Sequence, residues 1–375
     1  MTRCTRCLYP RTKPDLAFDA NGVCSACTNF RNRPTIDWAA HKRELEAILE
    51  TGKNGTGYDC IVPSSGGKDS HYQALTLIDM GARPLIVTAS TDYLTPIGRA
   101  NIDNLARYAT TIEVTPNRSV RAKLCRLGLE MVGDVSWGEH ASIFSVPFRI
   151  ASSLGIPLVF FGENSQDAYG GPPGSEKSQT LTARWRSEYG GLLGLRPSDF
   201  IGQEGITAAD MADYVLPNDD AMAKVTAYFL GQFIPWDSRR NAEAARLAGM
   251  RTQLPSPANF WDFENVDNLF TGAHDFLCWL KYGFGRATAQ LSVDVRNGLL
   301  SRDEALPIAE RRDGWFPEYY TGVSFDDGLR YMDMSRVHFL RICNAFMNKE
   351  LFVEPKVEWG QQITLNEQVM QSAAA

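Results

Sequence analysis

The chain has 375 residues, of which 44% are hydrophobic and 22% charged, and it carries a formal net charge of −6. That is the composition of a folded chain with a full core, and its acidic balance disfavours a generic nucleic-acid footprint. No run approaches the roughly 18 apolar residues of a membrane span, and the start "MTRCTRC" has no signal-peptide core, so the expected setting is cytoplasmic, without membrane contact.

Four of the eight cysteines fall at Cys4, Cys7, Cys24 and Cys27, as two C-x2-C pairs. Each pair can turn two thiolates toward one centre, and four thiolates satisfy a tetrahedral Zn2+ with no open position. The spacing therefore predicts a structural zinc ribbon over residues 1–35, with an Asn-Gly hairpin turn at Asp19 to Gly22. The remaining cysteines, Cys60, Cys125, Cys278 and Cys343, stand singly and read as small buried hydrophobes.

Residues 58–64 then read as a buried strand and 69–80 as a helix, followed by Gly81, Pro84 and a second strand, "PLIVTAS". This is a βαβ unit with parallel pairing. Between strand and helix lies Ser64-Ser65-Gly66-Gly67-Lys68-Asp69-Ser70. Two glycines let successive N–H groups converge on an anion at the helix N-terminus, Lys68 adds charge, and the hydroxyls of Ser65 and Ser70 add donors. The spacing is not that of a Walker A loop. Pro63 cannot donate to a ladder, so the strand is expected to end there.

The alternation continues with a helix around "PIGRANIDNLARYA", a strand at "TIEVTP", a helix from Ser119 to Met131, a helix around 140–154 and the strand "IPLVFFGEN". The pattern predicts a doubly wound parallel sheet with its ligand across the strand C-termini. Glu163 sits at such a strand end, where a carboxylate near phosphates would meet Mg2+ or an incoming amine, and Asn164 offers an amide for orientation. His71 and His140 fall near the same face, although lone histidines are more often structural.

The loop "SSGGKDS" resembles the PP-loop of the ATP pyrophosphatases. Together with "CTRCLYPRTKPDLAFDANGVCSAC", "FFGENSQDAYGG", "FIPWDSRRNAEAARLAGM" and "GAHDFLCWLKYGFGRATAQLSVDVRNGLLSRDEA", it resembles the N-acetyl sugar amidotransferases of bacterial surface-glycan pathways, from about Cys4 to about residue 355. The resemblance implies conversion of an acetamido group on a nucleotide-linked N-acetyl sugar to an acetamidino group. ATP, with Mg2+, would adenylate the amide oxygen, and ammonia would displace AMP. It also implies a separate glutaminase acting with a cyclase-like subunit, since Thr2 leaves this chain no N-terminal cysteine nucleophile. On this reading Lys68, Asp69, Glu163 and Asn164 are catalytic, and Ser65, Gly66, Gly67, Lys68, Asp69 and Ser70 hold ATP.

The domain plan is a zinc ribbon over 1–35, a PP-loop domain over 36–180, and a mostly helical substrate or partner region over 181–375. In the last, Lys281 and Arg286 flank a Gly-bracketed turn and are expected to bind substrate, as are Tyr169, Gly170 and Gly171 before a loop at 170–179. Ser301 and Glu304 form a capping box. The tail "QVMQSAAA" reads as frayed. Two other readings compete. One is a PP-loop tRNA thiolation enzyme, some of which also carry zinc ribbons; the other is a non-catalytic scaffold for a glutaminase complex.

Overall fold

The computed structural model describes residues 1–53, 55, 57–353 and 356–366, so the tail expected to fray lies outside the described residues. Five short strands, β1 (Cys60–Pro63), β2 (Pro84–Ala89), β3 (Thr111–Val114), β4 (Leu158–Phe161) and β5 (Thr226–Phe229), form one sheet in the order β3-β2-β1-β4-β5. Every pairing is parallel. The chain steps outward from β1 to β3, then crosses back to β4 and β5, which places the reversal of direction between β1 and β4. Ligands of open α/β sheets lie at such reversals, outside the strand C-termini.

Alternation along β1 explains the layers. Cys60 and Val62 pack with Leu45, Leu49, Leu77 and Phe160 on one face, whereas Ile61 packs with Leu85, Val87, Val146, Phe148 and Val159 on the other. The first face is covered by α2 (Trp38–Gly52) and α3 (Lys68–Asp79), after a short α1 (Ser25–Asn32) in the cysteine-rich segment. Next come α4 (Pro96–Leu105) and α5 (Arg118–Val132), then α6 (Trp137–Leu154), which covers the second face. No helix among the described residues is long and apolar enough to cross a membrane.

The strand β5 extends the sheet to residue 229, past the boundary expected at 180. Its four residues, "TAYF", are too short to announce a strand by alternation. They are reached through short helices α7 (Ser165–Ala168), α8 (Ala183–Tyr189) and α9 (Asp219–Met222). The chain continues through α10 (Ser238–Leu247), which packs against α3, then α11 (Thr271–Tyr282), α12 (Arg286–Arg296) and α13 (Arg302–Arg312). The Ser301–Glu304 capping box opens α13, with both reciprocal hydrogen bonds present. A two-stranded antiparallel ribbon, β6 (Tyr319–Tyr320) and β7 (Val323–Ser324), precedes α14 (Phe325–Tyr331) and α15 (Arg336–Phe346). These last helices share an aromatic-rich core of Phe270, Phe276, Trp279, Phe316, Phe325 and Phe339.

The N-terminal segment docks on this helical part. The Leu8 N–H donates to Ser292 Oγ, Thr12 Oγ1 to the Tyr282 carbonyl, and Arg302 Nε to the Cys4 and Cys7 carbonyls. The turn at Asp19 to Gly22 closes as expected: Asp19 exchanges backbone bonds with Gly22 and Val23, and Gly22 takes a φ of 73°.

Candidate active site

The loop after β1 is built from its own sequence. The Ser64 hydroxyl accepts from the Gly66 N–H at 3.0 Å, and the Ser70 hydroxyl accepts from the Ser65 N–H at 3.2 Å. Gly66 has a φ of 82°, and a Cβ there would lie 2.8 Å from the Ile102 nitrogen, so both conformation and space require glycine. Gly67 caps α3 without a side chain, whereas Asp37, Thr95 and Asn117 cap α2, α4 and α5 with theirs. The first N–H groups of α3 are thereby left to an anion, which the helix dipole also favours. Residues Ser65 and Ser70 thus serve partly to shape the loop, and the Ser65 hydroxyl also bonds the Asp267 carboxylate.

Beside the loop a pocket of about 200 Å³ opens between the ends of β1, β2 and β4. Its walls are apolar at Val87, Ala89, Ile102, Phe144 and Phe161, with Glu139 and Asp267 at polar positions. Burial pushes Asp267 up to about 6 and raises Glu139, the latter helped by Asp267 itself. The Thr91 hydroxyl donates to Glu139 Oε1 at 2.7 Å. Loop and pocket together have the form of a nucleotide site: a cradle of N–H groups for phosphates next to an apolar slot.

On the other side of the loop sits Lys68, buried at 5% exposure. Its ammonium lies 2.6 Å from Asp69 Oδ2 and 3.5 Å from Glu264 Oε1. Burial pulls it down, but Asp69, Glu264 and Glu163 outweigh burial and hold it above the usual lysine range. Asp69 Oδ1 accepts from Asn241 Nδ2 at 3.1 Å, and Glu264 Oε2 accepts from Gln290 Nε2 at 2.8 Å. Burial, with Asp69 adding to it, pushes Glu163 up to about 7 against the pull of Lys68 and a hydrogen bond from Tyr169. The cluster has three carboxylates for one ammonium, and the buried Asn241 Oδ1 beside it has no partner. A set rich in acceptors and short of donors suits a cation such as Mg2+ or a protonated amine.

The other expected site residues lie elsewhere or are occupied. Asn164 is 1% exposed and caps α7 with Oδ1, while Nδ2 donates to the carbonyls of Ser175, Glu176 and Ser178. It therefore anchors the 170–179 loop and has no amide left for a substrate. A Cβ on Gly170, which has a φ of 81°, would meet Leu16 at 2.5 Å and the Ala26 nitrogen at 2.8 Å. Gly171 is similarly pressed against Gln166. These glycines let the loop close on the cysteine-rich segment, and Tyr169 joins that packing while bonding Glu163.

Arg286 is taken up by Asp275, with Nη2 at 2.7 Å and Nε at 3.0 and 3.2 Å from its oxygens. Lys281 donates to the Val132 carbonyl at 3.3 Å. His71 is fully buried between the Gly67 carbonyl and Asn104, so it fixes the loop. His140 meets the Gly191 carbonyl and stands edge-on to His274, which bonds Asp134 at 2.9 Å. Sequence reasoning missed Glu139, Asn241, Glu264 and Asp267. Only the helix phase of Asn241 carried a signal, and a weak one.

At the N-terminus Cys4, Cys7, Cys24 and Cys27 are all buried, and their sulfurs lie within 4.8 Å of one another. The Cys4–Cys27 and Cys7–Cys24 separations are 3.9 and 3.6 Å, close to the roughly 3.8 Å edge of a tetrahedron with 2.3 Å zinc–sulfur bonds. The N–H groups of Arg6, Cys7 and Cys24 donate to Cys4 Sγ, as suits a charged thiolate. The donor set fits a closed zinc site. Tyr169, which packs against this cluster, links it to Glu163, and the Leu8 N–H and the Cys4 and Cys7 carbonyls join the module to α12 and α13.

The strand order, the uncapped loop and the cysteine cluster define an α/β protein with a parallel five-stranded sheet, an N-terminal four-cysteine cluster and a helical C-terminal region. Residues 258–365 match the family model described as "LPS biosynthesis protein WbpG-like, C-terminal domain". No curated protein matches the chain. Among solved structures, NMN synthetase from Francisella tularensis is similar at 12% identity and a TM-score of 0.27, over 59% of this chain and 99% of that one. So loose a likeness bears no weight, and the fold rests on the strand order and the loop.

Proposed function

We propose that the chain is an ATP-dependent amidotransferase of lipopolysaccharide or related surface-glycan assembly, converting the acetamido group of a nucleotide-linked sugar to an acetamidino group. The observation that carries this is the pairing of an uncapped, glycine-shaped anion cradle with the buried cluster of Lys68, Asp69, Glu163 and Glu264 on its far side. The family description supplies the pathway.

The α3 N-terminus would hold the triphosphate, with the apolar pocket taking the base. Asp69 and Glu264 would hold Mg2+, which would supply positive charge to the departing pyrophosphate. The amide oxygen forms a bond to the α-phosphorus as the bond to pyrophosphate breaks. Ammonia then adds to the imidate carbon, AMP leaves with the oxygen, and a proton goes to a base. Glu163, pushed toward neutrality and held by Tyr169, has the basicity and the place to accept it. Lys68 would balance the charge that develops on the transferred phosphoryl group. The ammonia would come from a separate glutaminase with its cyclase-like subunit.

The thiolation reading is weaker. Cys60, Cys125 and Cys343 are buried with thiols pushed up by burial, and burial likewise pushes Cys278 up to about 12. The test is release of AMP and pyrophosphate from ATP and ammonium across a panel of UDP-linked acetamido sugars, with Lys68→Ala as control. Sugar-dependent release that is lost in the variant, with NH replacing O in the product, is the expected result. Release stimulated only by tRNA and a sulfur donor would overturn it.

A further inference from the structure

The residues that follow Glu163 are gripped by the cysteine module. The helix α1 starts at the second pair of cysteines, with Cys24 just before it and Cys27 in its first turn. Ala26, Asn29, Phe30 and Arg33 recur at helical spacing, so they share one face, and α1 packs on α7. From that face Asn29 Nδ2 donates to the Gln166 carbonyl at 3.3 Å, and Arg33 pairs with Asp167 at 3.2 Å. Gly170 is seated on the two residues between the cysteines: a Cβ there would lie 2.8 Å from the Ala26 nitrogen and 2.9 Å from Ser25 Oγ. Lys13 Nζ adds a bond to the Gly170 carbonyl at 3.5 Å.

The grip reaches the carboxylate itself. Ala26, Phe30 and Arg33 line one crevice with Glu163, and Tyr169, which bonds Glu163, packs in the cysteine cluster. Asn164 passes the restraint onward, since it caps α7 and holds the carbonyls of Ser175, Glu176 and Ser178. The anion cradle leans elsewhere, on its own hydroxyls and on Asn241, Glu264 and Asp267.

The gripping element is weak without an ion. With eight residues, α1 is shorter than the roughly 12–15 below which an isolated helix is marginal in water. Half of the buried cluster around it is the four cysteines themselves, which leaves only Tyr9, Val23, Ala26 and Phe284 as other core. A core so small depends on bound metal to persist.

We infer that the module is a metal-dependent clasp: Zn2+ on Cys4, Cys7, Cys24 and Cys27 fixes α1, α1 fixes residues 163–179, and loss of the ion frees that segment while the cradle stays in place. Its consequence for catalysis, that a metal-free chain keeps its anion site and loses a fixed Glu163, rests on the function proposed above. The clasp itself does not.

The test is hydrogen exchange read by mass spectrometry on the full chain, with zinc content measured on the same samples. Zinc-loaded wild type is compared with wild type stripped by a chelator, and with a zinc-loaded double variant, Asn29→Ala with Arg33→Ala, which cuts the clasp and keeps the cysteines. Stripping should speed exchange about tenfold over residues 163–179, the scale of one lost hydrogen bond, as well as over 1–35, with 60–79 unchanged. The double variant should retain zinc as the wild type does and loosen 163–179 alone. If stripping unfolds the whole chain, the double variant decides by the same criterion. Loosening confined to 1–35, or a double variant whose 163–179 segment stays as protected as in the wild type, overturns the inference. So does a wild type that binds no zinc. Neither ATP nor sugar is present, so failure of sugar-dependent AMP release would sink the proposed reaction and leave this result standing.

Discussion

Lys68, which is buried, and Arg286, which is half-buried, are both cations beside glycine-bearing turns, and the sequence offers both as ligand-binding residues. The structure separates them by their surroundings. Arg286 has a two-pronged partner in Asp275, so its charge is answered inside the fold. Lys68 is outnumbered by Asp69, Glu163 and Glu264, so its neighbourhood carries negative charge that the protein alone does not cancel. A matched pair signals architecture, and a mismatched cluster signals something still to arrive.

The comparison can be broken at either end. Arg286→Met leaves Asp275 buried and unanswered, and should cost about 3–5 kcal/mol of stability in urea titrations. A variant of wild-type stability with weakened substrate binding would return Arg286 to the site. Lys68→Met should lower the rate of pyrophosphate release by about 10²–10³-fold, the usual loss on removing one group that stabilises transition-state charge. A full rate would leave the cluster without a catalytic role.

Glu163→Gln sharpens the contrast, since it relieves crowding among the carboxylates while removing the proposed base. Stability should hold or rise in thermal melts, and turnover should drop roughly 10²-fold. Falling stability with unchanged turnover would mark Glu163 as structural. The smallest effect concerns the second matched pair. Burial pulls His274 down, but Asp134 more than offsets it and raises the imidazole above its usual value. A raised folded-state value contributes stability that is fully present below about pH 6.5 and is lost as pH rises through the folded value. Comparing wild type with His274→Asn at pH 6 and pH 8.5 should show the difference shrinking at the higher pH; a constant difference would mean the imidazole is neutral throughout.

What the sequence disclosed follows the same division. The cradle was readable because its determinants, from Ser64 to Ser70, are contiguous, and the four cysteines because metal geometry imposes spacing. Its partners were not. Glu264 and Asp267 arrive on an irregular segment nearly two hundred positions downstream, and Glu139 lies in the first turn of a helix with no motif around it. Asn164 follows a strand end and Gly170 the short helix after it, and both read as ligand contacts, yet they fasten a loop and fit the cysteine module against it. Position in the fold was legible, but the choice between touching a ligand and holding a neighbour depends on contacts no local pattern records.

The docking of the first residues on the last helices has a consequence for biosynthesis. Leu8 waits for Ser292, and the Cys4 and Cys7 carbonyls wait for Arg302, sequence separations of 284, 298 and 295 residues. At about 5–20 residues per second, the ribosome takes on the order of 15–60 s to supply those partners. Through that interval the module has only its own hairpin bonds and whatever ion its four cysteines would hold, so a zinc ion bound there would matter already during translation, before the docking partners exist.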